Sequence, residues 1–136
     1  MNSAQAYELA LLFLCIWREA RGVSFPAQLG VGWSVRNRVM SGILWWGQGW
    51  DGIILHPYQY SSFNASDPNS TKIPYEDDPS FDNCMLAATE AYSGTGTDPT
   101  QGATSYYSSD IAAPAWAATM TFTVQLDSLL FFKLGG

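Results

Sequence analysis

The sequence of 136 residues has little charge and few of the residues that build metal sites or bind nucleic acids. Charged residues make up 13% of it, and only six are lysine or arginine, which leaves a net charge of −6. A nucleic-acid groove needs clustered basic side chains, so this balance argues against nucleic acid as a partner. The sequence has one histidine and two cysteines, which do not form the Cys/His cluster that would predict a zinc site. We therefore expect no metal site and no cofactor.

The sequence also shows no long hydrophobic run and no visible pattern of a secretory leader. The apolar run over 9–17 is about half as long as a membrane-spanning helix. No basic segment precedes this run, and no small-residue cleavage site follows it. We expect a monomer that is made in the cytoplasm without a signal peptide and does not insert into membranes.

The two cysteines, Cys15 and Cys84, both lie in apolar, helix-like surroundings. That context favours two buried free thiols, with a single disulfide as the alternative. Hydrophobic residues reach 47% and aromatic residues 15%, which indicates one packed domain over 1–136. The aromatic side chains either fill this core or form a surface that stacks on ring-shaped ligands such as sugars.

Apolar periodicity predicts three main helices, over 3–21, 26–41 and about 80–92. Gly30 and Gly32 weaken the second helix, which predicts that it packs closely, against the first helix.

The ends of the first two helices carry recognisable signals. Ser3 is the expected N-cap of the first helix, and Gly22 its expected stop. Pro26 suits the first turn of the second helix, and Gly42 ends it.

The rest of the chain predicts an irregular segment followed by strands. Residues 43–79 lack a sustained period but are rich in aromatics, so we interpret them as the wall of a binding groove, with a short helix over 50–55. Residues 103–108 form a predicted short strand, and 119–126 and 129–133 a predicted hairpin. The predicted fold class is α+β, mainly α, with a small C-terminal β-hairpin.

Glu19 is the strongest candidate for catalysis because it ends an apolar helix face. Leu12, Cys15 and Ile16 share that face at helical spacing. A carboxylate there is costly unless it is paired, protonated or catalytic. Two interpretations stay open: a general acid whose pKa burial raises, or an ion pair with one of four nearby arginines, which are Arg18, Arg21, Arg36 and Arg38.

Two mechanisms of glycoside cleavage are compatible with Glu19 as a general acid. Hydrolysis usually needs a second carboxylate, and none of the candidates stands out by spacing; they are Asp51, Asp67, Asp98 and Glu90. Lytic transglycosylation needs only one acid/base, because the sugar's own C6 hydroxyl attacks C1. A cysteine nucleophile is disfavoured, since Cys15 lies within the apolar face.

Five motifs in a fixed order resemble the SleB/CwlJ-type cell-wall hydrolase family, which includes spore cortex-lytic and many phage enzymes. They are E-A-R-G at 19–22, N-R-V at 37–39, Q-Y-S at 59–61, D-P-T-x-G-A-T-x-Y-Y at 98–107 and P-x-W-A at 114–117. Two departures are visible. Val23 stands where the family often has a second Glu, and Leu129 where it usually has a His.

The resemblance implies a compact domain similar to lysozyme-like lytic transglycosylases. It implies cleavage of peptidoglycan glycan strands between N-acetylmuramic acid and N-acetylglucosamine, with Glu19 as the catalytic acid/base. The expected substrate-binding residues are Gln59, Tyr60, Ser61, Phe63, Thr104, Tyr106, Tyr107 and Trp116. We expect one of the two adjacent tyrosines to face the groove and the other to point away.

Two alternatives remain at the level of sequence. One is a hydrolysing muramidase or glucosaminidase that uses Asp98 or Asp51 as a second carboxylate. The other is a non-catalytic glycan-binding module in which Glu19 is paired with an arginine. The missing leader suits a phage endolysin or a virion-associated lysin.

Overall fold

The structure is a computed structural model that describes residues 1–57 and 59–135. Within these residues, four α-helices precede a three-stranded antiparallel sheet, which confirms the predicted mainly helical α+β class. The elements are α1 (Ser3–Ala20), α2 (Phe25–Ser41), α3 (Gly49–Ile54), α4 (Phe81–Ser93), β1 (Ser105–Ser108), β2 (Met120–Leu126) and β3 (Leu129–Leu134). Short 3-10 turns lie between them, at Leu44–Trp46, Ser61–Phe63, Pro68–Thr71 and Ala115–Thr119.

The core forms where α1, α2 and α4 pack against one another. Leu12 and Ile16 of α1, Val31 and Val35 of α2, and Ala88 of α4 are all fully buried. Cys15 and Cys84 are buried in the same core, each as a free thiol. No helix within the described residues is long and apolar enough to span a membrane.

The two glycines of α2 allow close packing, but on two different sides. A Cβ at Gly32 would lie 2.8 Å from the Ala91 side chain of α4 and 3.1 Å from Ile16 of α1. A Cβ at Gly30 would lie 2.7 Å from the ring of Phe131 in β3. The prediction that both glycines face the first helix was therefore wrong for Gly30, which brings α2 against the sheet.

Two of the predicted helix ends differ from the observed ones by a single residue. Asn2, not Ser3, caps α1, because its side chain accepts a hydrogen bond from the backbone of Gln5 in a capping box. Helix α1 ends at Ala20, and Arg21 caps it in right-handed geometry; Gly22 directly follows this cap, but without the positive φ of a typical glycine stop. The predicted roles of Pro26 and Gly42 at the ends of α2 are confirmed.

The predicted strand over 103–108 is confirmed as Ser105–Ser108, and it joins the predicted hairpin in one sheet. Strands β2 and β3 form the hairpin through a turn at Asp127, which has a φ of 53°. Strand β1 pairs with the other edge of β3, with Ser105 opposite Phe132, so the order is β1-β3-β2. A bulge between Phe122 and Val124 interrupts the outer pairing. Because β3 is the central strand, β1 lies at one edge of the sheet, where it contacts helix α2.

The close approach at Gly32 gives a test of this packing. We expect Gly32→Ala to lower the free energy of unfolding by about 1–3 kcal/mol, because the added methyl meets packed side chains. Gly52→Ala is the matched control, since a Cβ there meets nothing within 4 Å. We expect this control to raise stability by about 0.5–1 kcal/mol, through helix propensity. Urea unfolding measures both; a Gly32→Ala protein as stable as the wild type would contradict the packing.

Candidate active site

A groove lies where the C-terminal end of α1, helix α2 and the sheet meet. Its volume is about 520 Å³, within the usual range for ligand sites. It is lined by Glu19, Arg38, Trp45, Trp46, Gln59, Tyr60, Ser61, Ser105, Tyr106, Trp116, Thr119, Met120 and Leu134. Residues far apart in the sequence thus line one groove together with Glu19.

Six of the nine residues predicted for the site line this groove. They are Glu19, Gln59, Tyr60, Ser61, Tyr106 and Trp116. The adjacent tyrosines of β1 point in different directions, as strand geometry requires. Tyr106 lines the groove, whereas Tyr107 stacks on Phe132 at 5.5 Å between ring centroids.

The other predicted residues, Phe63 and Thr104, also lie outside the groove lining. The ring of Phe63 lies under the guanidinium of Arg18, 4.9 Å from its centroid. Thr104 is buried, and its backbone oxygen accepts a hydrogen bond from Arg38. Thr104 and Tyr107 therefore contact groove residues from outside the lining, since Thr104 binds Arg38 and the ring of Tyr107 meets that of Trp116.

The carboxyl group of Glu19 is partly buried and contacts hydroxyl groups. The Tyr106 hydroxyl donates a hydrogen bond of 3.1 Å to its Oε1. Burial raises the pKa of Glu19, and the negative charge of Asp67 raises it further. Polar contacts from Ser62 and Tyr106 lower this pKa in part. The Ser62 hydroxyl is buried near Glu19, but its geometry does not meet the criteria for a hydrogen bond. Burial is the largest effect, so the group keeps its proton to higher pH than an exposed glutamate does.

None of the four neighbouring arginines pairs with Glu19. Each of them donates instead to a backbone carbonyl oxygen of another segment or turn. The main influences on the pKa of Glu19 are burial, Ser62, Tyr106 and Asp67, and no arginine is among them. The structure therefore removes the ion-pair interpretation of Glu19, which leaves its carboxyl group free to exchange protons with a ligand.

Arg38 fixes the floor of the groove. Its guanidinium is nearly buried and donates to Oε1 of Gln59 at 2.6 Å and to Oγ of Ser105 at 3.2 Å. The same group lies over the rings of Trp46 and Tyr60, at 4.9 and 5.5 Å from their centroids. Arg38 thus holds α2, the segment around Gln59 and strand β1 in one arrangement. The N-R-V motif marked this residue, but its long-range partners could not be read from the sequence.

Asp98 has a structural environment, not a catalytic one. Its carboxylate accepts from the Asn37 amide at 2.8 Å, from the Thr100 hydroxyl at 2.7 Å and from the Gly102 backbone at 3.0 Å. Asn37 also donates to the backbone oxygen of Ala103. The N-R-V and D-P-T-x-G motifs therefore meet to fix the loop that leads into β1.

The other acidic candidates do not reach the groove. Asp51 is exposed on α3, and Asp67 accepts from the backbone of Asn69 to cap a 3-10 turn. Glu90 lies on α4, outside the groove lining. Among the described residues, Glu19 is therefore the only acid that lines the groove. The described part of the chain also holds no group of three acidic, histidine or cysteine side chains arranged for a metal ion.

The pKa of Glu19 predicts how its substitution changes stability with pH. A carboxyl group whose pKa is raised on folding makes its full contribution to stability at a pH below its pKa in the unfolded chain, which is about 4.3. That contribution is lost as the pH rises through the higher pKa of the folded protein. We expect Glu19→Gln to be more stable than the wild type at pH 7, and the difference to vanish near pH 3.

Thermal or urea unfolding across this pH range measures that difference. Glu76→Gln, at an exposed glutamate outside the groove, is the control and should show no such trend. A Glu19→Gln protein that is less stable than the wild type at pH 7 would show that the carboxylate is favourably bound.

Comparison with known proteins gives a consistent result. The protein-family model described as Cell Wall Hydrolase matches residues 22–132, beginning just after Glu19. The catalytic domain of the germination-specific lytic transglycosylase SleB from Bacillus anthracis is 22% identical, with a TM-score of 0.74 over 97% of both chains. The catalytic domain of the Bacillus cereus SleB protein is also 22% identical, with a TM-score of 0.74 over 98% of this chain and 93% of that one.

No functionally curated protein matches the sequence. The two SleB domains share the fold of this chain. The family model covers most of the chain, and its description agrees with the motifs and with the acid in the groove. The chain therefore belongs to the cell wall hydrolase family, the SleB/CwlJ type that its motifs resemble.

Proposed function

We propose that this enzyme cleaves the glycan strand of peptidoglycan between N-acetylmuramic acid and N-acetylglucosamine, as a lytic transglycosylase with Glu19 as its single acid/base. The observation that carries the proposal is one carboxyl group of raised pKa, without an arginine partner, in a groove whose described lining holds no second acid. The name of the Bacillus anthracis relative agrees with this chemistry.

The reaction needs two proton transfers at the same carboxyl group. Protonated Glu19 first donates to the oxygen of the leaving sugar as the glycosidic bond breaks. The resulting carboxylate then accepts the proton of the C6 hydroxyl while that oxygen bonds to C1, which closes a 1,6-anhydro ring and consumes no water. The enzyme ends in its starting protonation state, so no second carboxylate is required.

Tyr106 is suited to hold Glu19 through both steps. Burial, and next the charge of Glu19, raise the pKa of Tyr106 well above its usual range, so its hydroxyl stays a donor. Its hydrogen bond to one carboxyl oxygen fixes the orientation of the group. The same bond favours the carboxylate that forms after the first transfer.

The groove offers the sugar polar contacts of a defined kind. The side-chain oxygen of Gln59 is already bound by Arg38, so its NH₂ group remains to donate to a sugar hydroxyl or an N-acetyl carbonyl. Ser61 is exposed and can donate or accept. Tyr60 is almost fully buried, so it supplies ring surface beneath Arg38. Trp116 lines the groove from the sheet side.

The two alternatives are less well supported. A hydrolysing glycosidase would use a second carboxylate, but Asp98 is bound within its own loop and Asp51 lies outside the groove lining. A binding module has no need for a buried acid without a counterion, which costs stability at neutral pH. A monomeric state and an origin as a phage endolysin or virion-associated lysin stay predictions from the sequence.

Product analysis of digested, purified peptidoglycan tests the proposal. We expect the wild type to release muropeptides ending in 1,6-anhydro-muramic acid, and Glu19→Gln to release them about 10²- to 10⁴-fold more slowly. Mass spectrometry of the soluble fragments measures both. Glu76→Gln is the matched control and should retain full activity.

Two outcomes would contradict the proposal. Fragments heavier by one water, with reducing ends, would show hydrolysis. A folded wild type that binds sacculi and releases no glycan fragments would support the binding module.

A further inference from the structure

Trp45 is two-thirds exposed although it lines the groove. Its side chain is 67% exposed, whereas that of the adjacent Trp46 is 7% exposed. Burying an indole ring is one of the largest gains available to a small domain. An exposed indole that lines a groove therefore indicates a surface that a ligand covers.

The turn that carries Trp45 is closed and held in place. It is the 3-10 turn Leu44–Trp46, which the backbone N–H of Gly47 closes with a 3.0 Å hydrogen bond to the backbone oxygen of Leu44. Gly47 has a φ of 110°, and a Cβ there would lie 2.5 Å from the backbone oxygen of Gly52. The turn thus abuts helix α3 so closely that only glycine fits, which limits the movement of the tryptophans.

The ring of Trp45 is also supported from within the groove. It meets the ring of Trp46 edge-on, with centroids 5.9 Å apart and planes at 78°. Trp46 in turn carries the guanidinium of Arg38, which is bound to Gln59 and Ser105. A contiguous set of contacts therefore ties the exposed ring to the floor of the groove.

We propose that Trp45 is a stacking platform for a pyranose ring that lies outside the two sugars joined by the scissile bond. Those two sugars must reach the partly buried Glu19, whereas Trp45 lines the same groove with most of its side chain exposed. The C–H groups on one face of a pyranose carry partial positive charge and suit the negative face of an indole. The identity of the ligand as a peptidoglycan strand rests on the proposed function.

A stacking platform away from the scissile bond stabilises the bound substrate and the transition state by the same free energy. Its loss should raise KM and leave kcat unchanged. We expect Trp45→Ala to raise KM for long, peptide-free glycan strands roughly three- to tenfold, the range of aromatic contacts. The shortest strand that the enzyme cleaves should show no change, because it does not reach the platform.

Two variants control for disturbance of the turn. Trp45→Phe keeps an aromatic face and should recover most of the affinity. Leu44→Ala alters the same turn at an exposed side chain that does not line the groove, and should leave KM unchanged. An unchanged KM in Trp45→Ala, or a lower kcat at an unchanged KM, would overturn the proposal.

Binding measured without turnover separates this proposal from the proposed chemistry. In a Glu19→Gln background, Trp45→Ala should weaken binding of long strands by the same factor, whether or not the wild type cleaves them. Equal binding by the single and double variants would overturn the platform even if the transglycosylase reaction is confirmed.

Discussion

The site depends on the burial of one carboxyl group without a counterion. Glu19 ends a helix face whose previous turns, with Leu12 and Ile16, lie in the core. Solvent is therefore reduced around the carboxyl group, and the charged form is disfavoured. Had one of the arginines on α1 or α2 faced it, the pKa would fall and the acid would be lost. Backbone oxygens elsewhere in the protein bind those arginines, and Glu19 stays unpaired.

Arg38 shows how this separation of charges is achieved. Its guanidinium is satisfied by neutral oxygen acceptors and by two aromatic rings, none of which carries a negative charge. A buried cation and a buried acid can then line one groove without forming an ion pair. This arrangement also links α2 to β1, which brings Tyr106 to the carboxyl group of Glu19. Stability and chemistry thus rely on the same contacts.

The helices and the acid could be predicted because their signals are local. Helical spacing placed Glu19 beside Leu12, and strand alternation separated Tyr106 from Tyr107. The partners of Arg38 could not be predicted from the chain, since Ser105 lies 67 positions away and no periodicity encodes the contact. Pairing of β1 with β3 was missed for the same reason. Thr104 shares a motif with groove residues but supports Arg38 through its backbone.

The central claim concerns the protonation of one residue, so its most direct test is a titration of that residue. NMR observation of the side-chain carboxyl carbon of Glu19, assigned by its absence in Glu19→Gln, gives the pKa in the folded enzyme. The structure predicts a midpoint above the ordinary glutamate value of about 4.3. A midpoint at or below that value would show that the carboxylate is stabilised in its charged form, and would contradict its role as the general acid.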